Sequence, residues 1–276
     1  MKTDQLVMHS LTTGQRNLEE ALEAYAAAGF RHVELYLALI KAWLEDGHTV
    51  EQTRDLFDSY GLDLVGGSEA VPVECFHSPD VLLPSLRTHV ENLRLIHDLG
   101  GTKMIVATNG PEQVAPDSLE HVARALRAIG EATEGYEVDI SVEFNASPVV
   151  KSLQSAVRVS EMADHPRVGV LFDTAHYHVT PTKFADINEE SVRWIKHVHV
   201  NDMPDTPADL THRDFDRVLP GEGVLDLTGI ISELERHGYG GYFSIELFNS
   251  NLWQLPTEEA ARKSYESLLP LCEGGE

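Results

Sequence analysis

The stretch Val168-Gly-Val-Leu-Phe-Asp173-Thr-Ala-His176 opens as a short apolar, β-branched run and closes on residues that can bind a cation. So short a run, bounded by polar residues, reads as a buried strand of a parallel sheet. Both neighbouring runs read the same way. Asp139–Phe144 ends Ser-Val-Glu143-Phe, and Lys196–Asn201 carries His197 and His199 on one face before Asn201 and Asp202. Working outward, five more runs fit the pattern: Leu6–His9, His32–Tyr36, Asp63–Val65, Lys103–Thr108 and Phe243–Phe248, the last containing Glu246. Helical patterns lie between them at Leu18–Ala28, Val50–Tyr60, Leu82–Leu99, Ser118–Thr133, Val149–Met162, Leu227–His237 and Thr257–Leu269, with a less regular one around Phe184–Trp194. Gly29, Gly61, Gly100 and Gly238 each follow a helical run closely, as C-terminal caps do.

Eight strands and eight helices in strict alternation call for parallel strands joined by helical crossovers. The first strand is not followed by Gly-x-Gly-x-x-Gly, so a dinucleotide-binding open sheet lacks its best signature. No Pro/Ser-rich linker divides the 276 residues, a length that suits one large core. The fold class is therefore α/β: a single (β/α)8 TIM barrel domain over residues 1–276, with its active site at the C-terminal ends of the strands.

The formal net charge of −24 sets the chain against phosphate backbones and anionic lipid. Nucleic acid and membrane surfaces are accordingly not expected as partners. Acids are spread along the helical segments without a dense run, which fits an acidic bacterial cytosolic protein slightly better than a salt-adapted one. The N-terminal residues lack the apolar core of a secretory signal, and no run approaches the length of a membrane span. Cys75 and Cys272 lie far apart at no metal-binding spacing, so the expected location is the reducing cytoplasm.

The polar residues at the late strand ends carry the chemistry. Glu143 and Glu246 each sit in an apolar strand, where a lone ionised carboxylate costs several kcal/mol to bury. With Asp173 aimed at the same axis they repel one another unless a cation neutralises them. His199 adds an imidazole, completing a four-residue set suited to one divalent ion. Pairing of each acid with an Arg or a backbone amide is the plainer alternative. It weakens when four such residues stand at adjacent strand ends. His176 falls in the loop beyond the sixth strand. His9, His178 and His197 read as structural or supporting, His197 on the face of His199 and one layer deeper. The long connection Thr211–Gly223 holds Arg213, Arg217 and Pro220-Gly-Glu-Gly, and either grips substrate or pairs with the surrounding acids.

Taken in order, Val142-Glu143, Phe172-Asp173-Thr-Ala-His176, His197-Val-His199-Val-Asn201-Asp202, Arg217-Val-Leu-Pro-Gly-Glu-Gly223 and Ser244-Ile-Glu246 resemble the xylose isomerase-like TIM barrel superfamily of sugar phosphate isomerases and epimerases. The resemblance runs from the first strand to the eighth helix and is sharpest from Glu143 onward. It implies that Glu143, Asp173, His199 and Glu246 bind one divalent ion. Mn2+, Mg2+ or Co2+ is preferred by an oxygen-rich set, and Zn2+ is tolerated. It also implies that His176 and Arg217 contact substrate; Asn145 is a further candidate substrate contact, and Glu143 and Glu246 are the candidate catalytic residues, either able to serve as general base.

The implied activity is isomerisation or epimerisation of a small sugar-like keto or polyol compound, by proton abstraction next to a carbonyl through an enediolate. The ketose 3-epimerases of the superfamily carry Glu-x-x-Asn-Arg-x-Glu after strand five. This chain has Glu143-Phe-Asn145-Ala-Ser-Pro-Val149, without the Arg or second Glu. His212-Arg213 to Gly223 and Glu246-Leu-Phe-Asn249 resemble dehydratases of the superfamily instead, which keeps β-elimination from an inosose or 3-dehydroshikimate as the alternative. The repair endonucleases of the superfamily place a His where Arg217 stands and need further metal-binding histidines. Ser68 or Glu69 and Thr108 occupy the early strand ends here. A nuclease or a non-catalytic subunit is thus disfavoured, while homo-oligomerisation stays open.

Overall fold

The computed structural model describes residues 1–14, 16–207 and 214–272. Eight parallel strands close into a barrel in chain order: β1 (Leu6–His9), β2 (His32–Tyr36), β3 (Asp63–Ser68), β4 (Lys103–Val106), β5 (Asp139–Glu143), β6 (Val168–Asp173), β7 (Ile195–Val200) and β8 (Phe243–Ile245). Closure comes from β1 pairing with β8, Leu6 opposite Phe243 and Val7 opposite Ser244. The expected fold class is the observed one.

The outer layer is built from α1 (Leu18–Ala28), α2 (Leu37–Glu45), α3 (Val50–Tyr60), α4 (Pro79–Asp98), α5 (Ser118–Ala132), α6 (Leu153–Ala163), α7 (Thr174–Val179), α8 (Glu189–Val192), α9 (Leu227–Arg236), α10 (Ser250–Trp253) and α11 (Thr257–Leu268). Their registers follow from local chemistry. Asn17 starts α1 by accepting the Glu20 amide, and Gly29 ends it in the left-handed region at φ 109°. Thr49 and Gln52 form a reciprocal cap on α3. Helix α9 buries Leu227, Ile230, Ile231 and Leu234, the i, i+3, i+4, i+7 stripe that packs a helix on a barrel.

Strict alternation holds for the strands but not for the helices. Helix α2 leaves β2 without a turn and precedes α3 in the same connection, while α7 and α10 are single-turn additions at the C-terminal rim. The segment expected around Phe184–Trp194 is a 3-10 turn, Phe184–Asp186, followed by the four-residue α8. The strand runs were expected to extend further at their C-terminal ends: β4 stops at Val106, β5 at Glu143 and β8 at Ile245. Glu246 therefore stands just past the end of the ladder.

Register puts the site on one level. His9 faces Glu34 across β1 and β2, and Asp173 faces His199 across β6 and β7. Irregularities interrupt the pairing beside Val33 and Glu34 and between Val170 and Leu171. Such bulges re-aim the side chains that follow them. Among the described residues no helix is long and apolar enough to cross a membrane.

Candidate active site

One atom from each of Glu143, Asp173, His199 and Glu246 lies within 4.8 Å of the others. Donors opposed around one divalent ion at about 2.0–2.5 Å are separated by no more than about 4–5 Å, so the four residues can share an ion. The orientation of His199 adds an independent sign. Its Nε2 donates to Glu34 Oε2 at 3.0 Å. Its Nδ1 is buried without a hydrogen-bond partner, 3.2 Å from Glu246 Oε2 and 3.9 Å from Asp173 Oδ2. A buried imidazole nitrogen left unpaired among carboxylates has the chemistry of a metal ligand. The residues fit a divalent cation.

The surrounding hydrogen bonds hold the acids apart in function. Asp173 Oδ1 accepts the His176 amide at 2.9 Å, capping α7, while Oδ2 accepts Asn201 Nδ2 at 2.9 Å. Arg217 Nη1 donates to Glu246 Oε2 at 2.6 Å and lies 3.5 Å from Asp173 Oδ2. Arg217 Nη2 donates to His176 Nε2 at 3.2 Å. Glu143 has no Lys or Arg within ion-pair distance among the described residues; its neighbour is His176 Nε2 at 3.5 Å.

The two glutamates are driven in opposite directions. Burial raises the Glu143 carboxyl, Glu246 and Asp173 add to the rise against His176, and the group is pushed up to about 7. Burial also opposes ionisation of Glu246, but His199, His9 and Arg217 outweigh it and hold the carboxyl well below its usual range. In the metal-free protein the pair thus resolves into one proton-accepting carboxyl near neutrality and one locked carboxylate.

These groups sit at the floor of a cavity of about 870 Å³ at the C-terminal end of the barrel. Glu143, Asn145, His176, Arg217 and Glu246 line it. One wall is aromatic: Phe215 packs edge-on to Trp253 at 5.5 Å and to Phe248 at 5.9 Å, with the Arg217 guanidinium 5.6 Å from the Phe248 ring centre. Asp202 fixes the chain that carries Arg217. Its carboxylate accepts the amides of Met203, Gly221, Gly223 and Leu225, and its backbone pairs with Val218. Gly223 is obligatory there, since a Cβ would lie 2.2 Å from the Met203 carbonyl.

Of the site residues expected from sequence, Glu143, Asn145, His176, Arg217 and Glu246 line this cavity, while Asp173 and His199 lie fully buried beside Glu246. His176 belongs to α7 and is buried, rather than lying in a loop, because Asp173 caps a helical turn directly after β6. Arg217 bonds Glu246 directly and also lines the cavity, so pairing with an acid and a cavity-facing position hold together. Asn145 uses its Oδ1 to accept the Ser147 amide and shapes its own loop as well as the wall. Arg213 and His212 lie outside the described residues. Sequence reasoning missed Glu34, although a glutamate inside His32-Val-Glu34-Leu-Tyr36 carries the same signal that exposed Glu143 and Glu246. It also undervalued Asn201 and Asp202. His197 and His9 do fill the deeper layer, His197 Nε2 donating to Glu34 Oε2 at 2.8 Å.

A profile of the xylose isomerase-like TIM barrel family matches residues 22–271. The chain belongs to that family. Among its relatives are the inosose isomerase of Bacillus velezensis, 23% identical over 93% of this chain and 92% of its own, and that of Bacillus licheniformis, 30% identical over 56% of this chain. The latter match spans 55% of the Bacillus licheniformis protein. The 3-dehydroshikimate dehydratase of Pseudomonas putida is 28% identical over 93% of this chain, which spans 40% of that larger protein. In structure the barrel is similar to the IOLI protein, crystallised with a zinc atom, at TM-score 0.90, 21% identity and 99% coverage of each chain. It is also similar to the D-allulose 3-epimerase of a Methylomonas species, at TM-score 0.76, 14% identity and 96% coverage of each chain. The xylose isomerase-like relatives are thus enzymes that isomerise, epimerise or dehydrate small molecules.

Proposed function

We propose that this chain is a divalent-metal-dependent isomerase of a compact, sugar-like polyhydroxy ketone, of the kind represented by an inosose. The observation that carries the reading is the cluster at the cavity floor: Glu143, Asp173, His199 and Glu246 each bring an atom within 4.8 Å of the others, Glu246 bonded by Arg217 and Glu143 without a Lys or Arg partner among the described residues. Glu143, Asp173, His199 and Glu246 would hold one ion, an oxygen-rich set suited to Mn2+, Mg2+ or Co2+ and able to take Zn2+. When bound, the ion polarises the substrate carbonyl and stabilises the negative charge that builds on its oxygen.

The chain's own groups move the proton. Glu143 takes the hydrogen from the hydroxyl-bearing carbon next to the carbonyl and returns it to the former carbonyl carbon. The hydroxyl proton passes between the two substrate oxygens, so the ketone shifts by one carbon and no atom is lost. Asn145, His176 and Arg217 are assigned to the substrate's oxygens, and the Phe215–Phe248–Trp253 wall offers an apolar face to a ring's C–H edge. The names of the inosose isomerase relatives support this substrate class.

A second reading is loss of a β-hydroxyl after the same proton abstraction, favoured by the 28% identity to the Pseudomonas putida dehydratase across 93% of this chain. One experiment separates them. Inososes, ketoses and 3-dehydroshikimate are incubated in D2O with Mn2+, Co2+, Mg2+ or Zn2+ supplied in turn. Isomerisation gives deuterium at carbon and a product of the substrate's composition; dehydration gives a product short of one water. Absence of exchange across the whole panel overturns both.

A further inference from the structure

Beneath the candidate metal centre lies a second, fully buried polar layer that the proposed reaction does not use. Glu34 of β2 is enclosed by three imidazoles, none of them exposed. His197 Nε2 donates to its Oε2 at 2.8 Å, and His199 Nε2 donates to the same oxygen at 3.0 Å. His9 Nε2 stands 3.6 Å from Oε1 and the same distance from Glu246 Oε1, and bonds Ser68 Oγ at 3.1 Å. His9 Nδ1 accepts the Leu11 amide at 3.2 Å, which leaves the proton on Nε2.

His9, Glu34 and His199 are close enough to hold an ion themselves. The hydrogen bonds argue otherwise, because Glu34 Oε2 already accepts from both His197 Nε2 and His199 Nε2, and none of the three residues lines the cavity above. The unmet valence in this layer points upward. His199 spends Nε2 on Glu34 and is left with Nδ1 unpaired toward Glu246 and Asp173.

We infer that Glu34 is a positioning residue of the metal centre: it holds the His199 ring and its Nε2 proton so that Nδ1 alone is presented to the ion. The inference rests on the metal reading above and adds a residue outside the ligand set. Carboxylates behind ligating histidines fix the ring and raise its basicity, and their loss typically weakens metal binding by about 10–100-fold. His197 supports the same oxygen from the side, which explains a second buried imidazole on β7 where an apolar residue would otherwise pack.

The full chain labelled with 15N-histidine tests this by long-range proton–nitrogen correlation before and after zinc is added. The expected result is that zinc shifts His199 Nδ1 while Nε2 keeps its proton, and that competition with a chelating dye shows Glu34→Gln binding zinc about 10–100-fold more weakly than the parent. Zinc engaging His199 through Nε2 overturns the inference, as does a folded Glu34→Gln protein with parental affinity. The nitrogen measurement needs no substitution, so it decides the matter even where Glu34→Gln fails to fold. Zinc that perturbs none of the three imidazoles removes the metal reading itself, and the inference with it.

Discussion

The two glutamates on the cavity floor are driven in opposite directions by their neighbours. Glu143→Gln keeps the shape but cannot accept a proton. Substrate should still bind while exchange of its hydrogen with D2O falls by about 10²–10⁴-fold, with metal content measured on the same sample. A parental exchange rate in a metal-loaded Glu143→Gln protein would exclude Glu143 as the base. The same carboxyl adds a pH dependence to the stability of the metal-free protein. Its folded value, about 7, lies above the usual 4.5, so the native state binds the proton more tightly. The stability this contributes is full below about pH 4.5 and is lost as pH rises through 7. Melting temperature in EDTA should therefore decline across that window, and the decline should shrink in Glu143→Gln. Arg217→Ala removes the cation from Glu246 and Asp173, so metal binding should hold or tighten. Turnover per KM should fall about 10–100-fold, the worth of a lost hydrogen bond to a charged group. Unchanged kinetics would make Arg217 a packing residue.

Elements of the barrel were legible where their period was long and their ends were marked. Helices α1, α3 and α5 begin where the sequence indicates, because Asn17, Thr49 and the apolar stripes act locally. Helices α2 and α7 were not legible. Leu37–Glu45 follows β2 with no turn residue between, and α7 is six residues, too short to show a period. Consequently His176 read as a loop residue, although the Asp173 side chain caps its turn. The connection ending at Gly223 also depends on a side chain outside itself. Asp202→Ala leaves four backbone amides without their acceptor, which should cost about 1–3 kcal/mol in chemical denaturation and raise KM by loosening Arg217. Metal content should not change, since Asp202 takes no part in the ligand set. Parental stability and KM would show that the Val218 pairing alone secures the loop.

Over the whole molecule, a cation bound in the barrel floor would couple function to stability. Binding to the native state alone adds about 2.7 kcal/mol at a free ion concentration of about 100 Kd. Dialysis against EDTA should lower the melting temperature, and Mn2+ or Co2+ should restore it at one ion per chain. A melting temperature indifferent to metal would contradict the four-residue set, as would retention of metal by Asp173→Ala. By itself the sequence determined the barrel and marked four candidate ligands at the ends of its late strands. Alternation of apolar runs with amphipathic ones is a local property, and a carboxylate inside an apolar strand is conspicuous wherever it occurs. Only the tertiary structure decided which side chains meet. That Arg217 closes on Glu246, that Asp202 gathers a loop, and that Glu34 of the second strand stands behind His199 of the seventh depend on strand stagger and bulges around a closed barrel. Those contacts join residues up to 165 positions apart, and no pattern within a single strand records them.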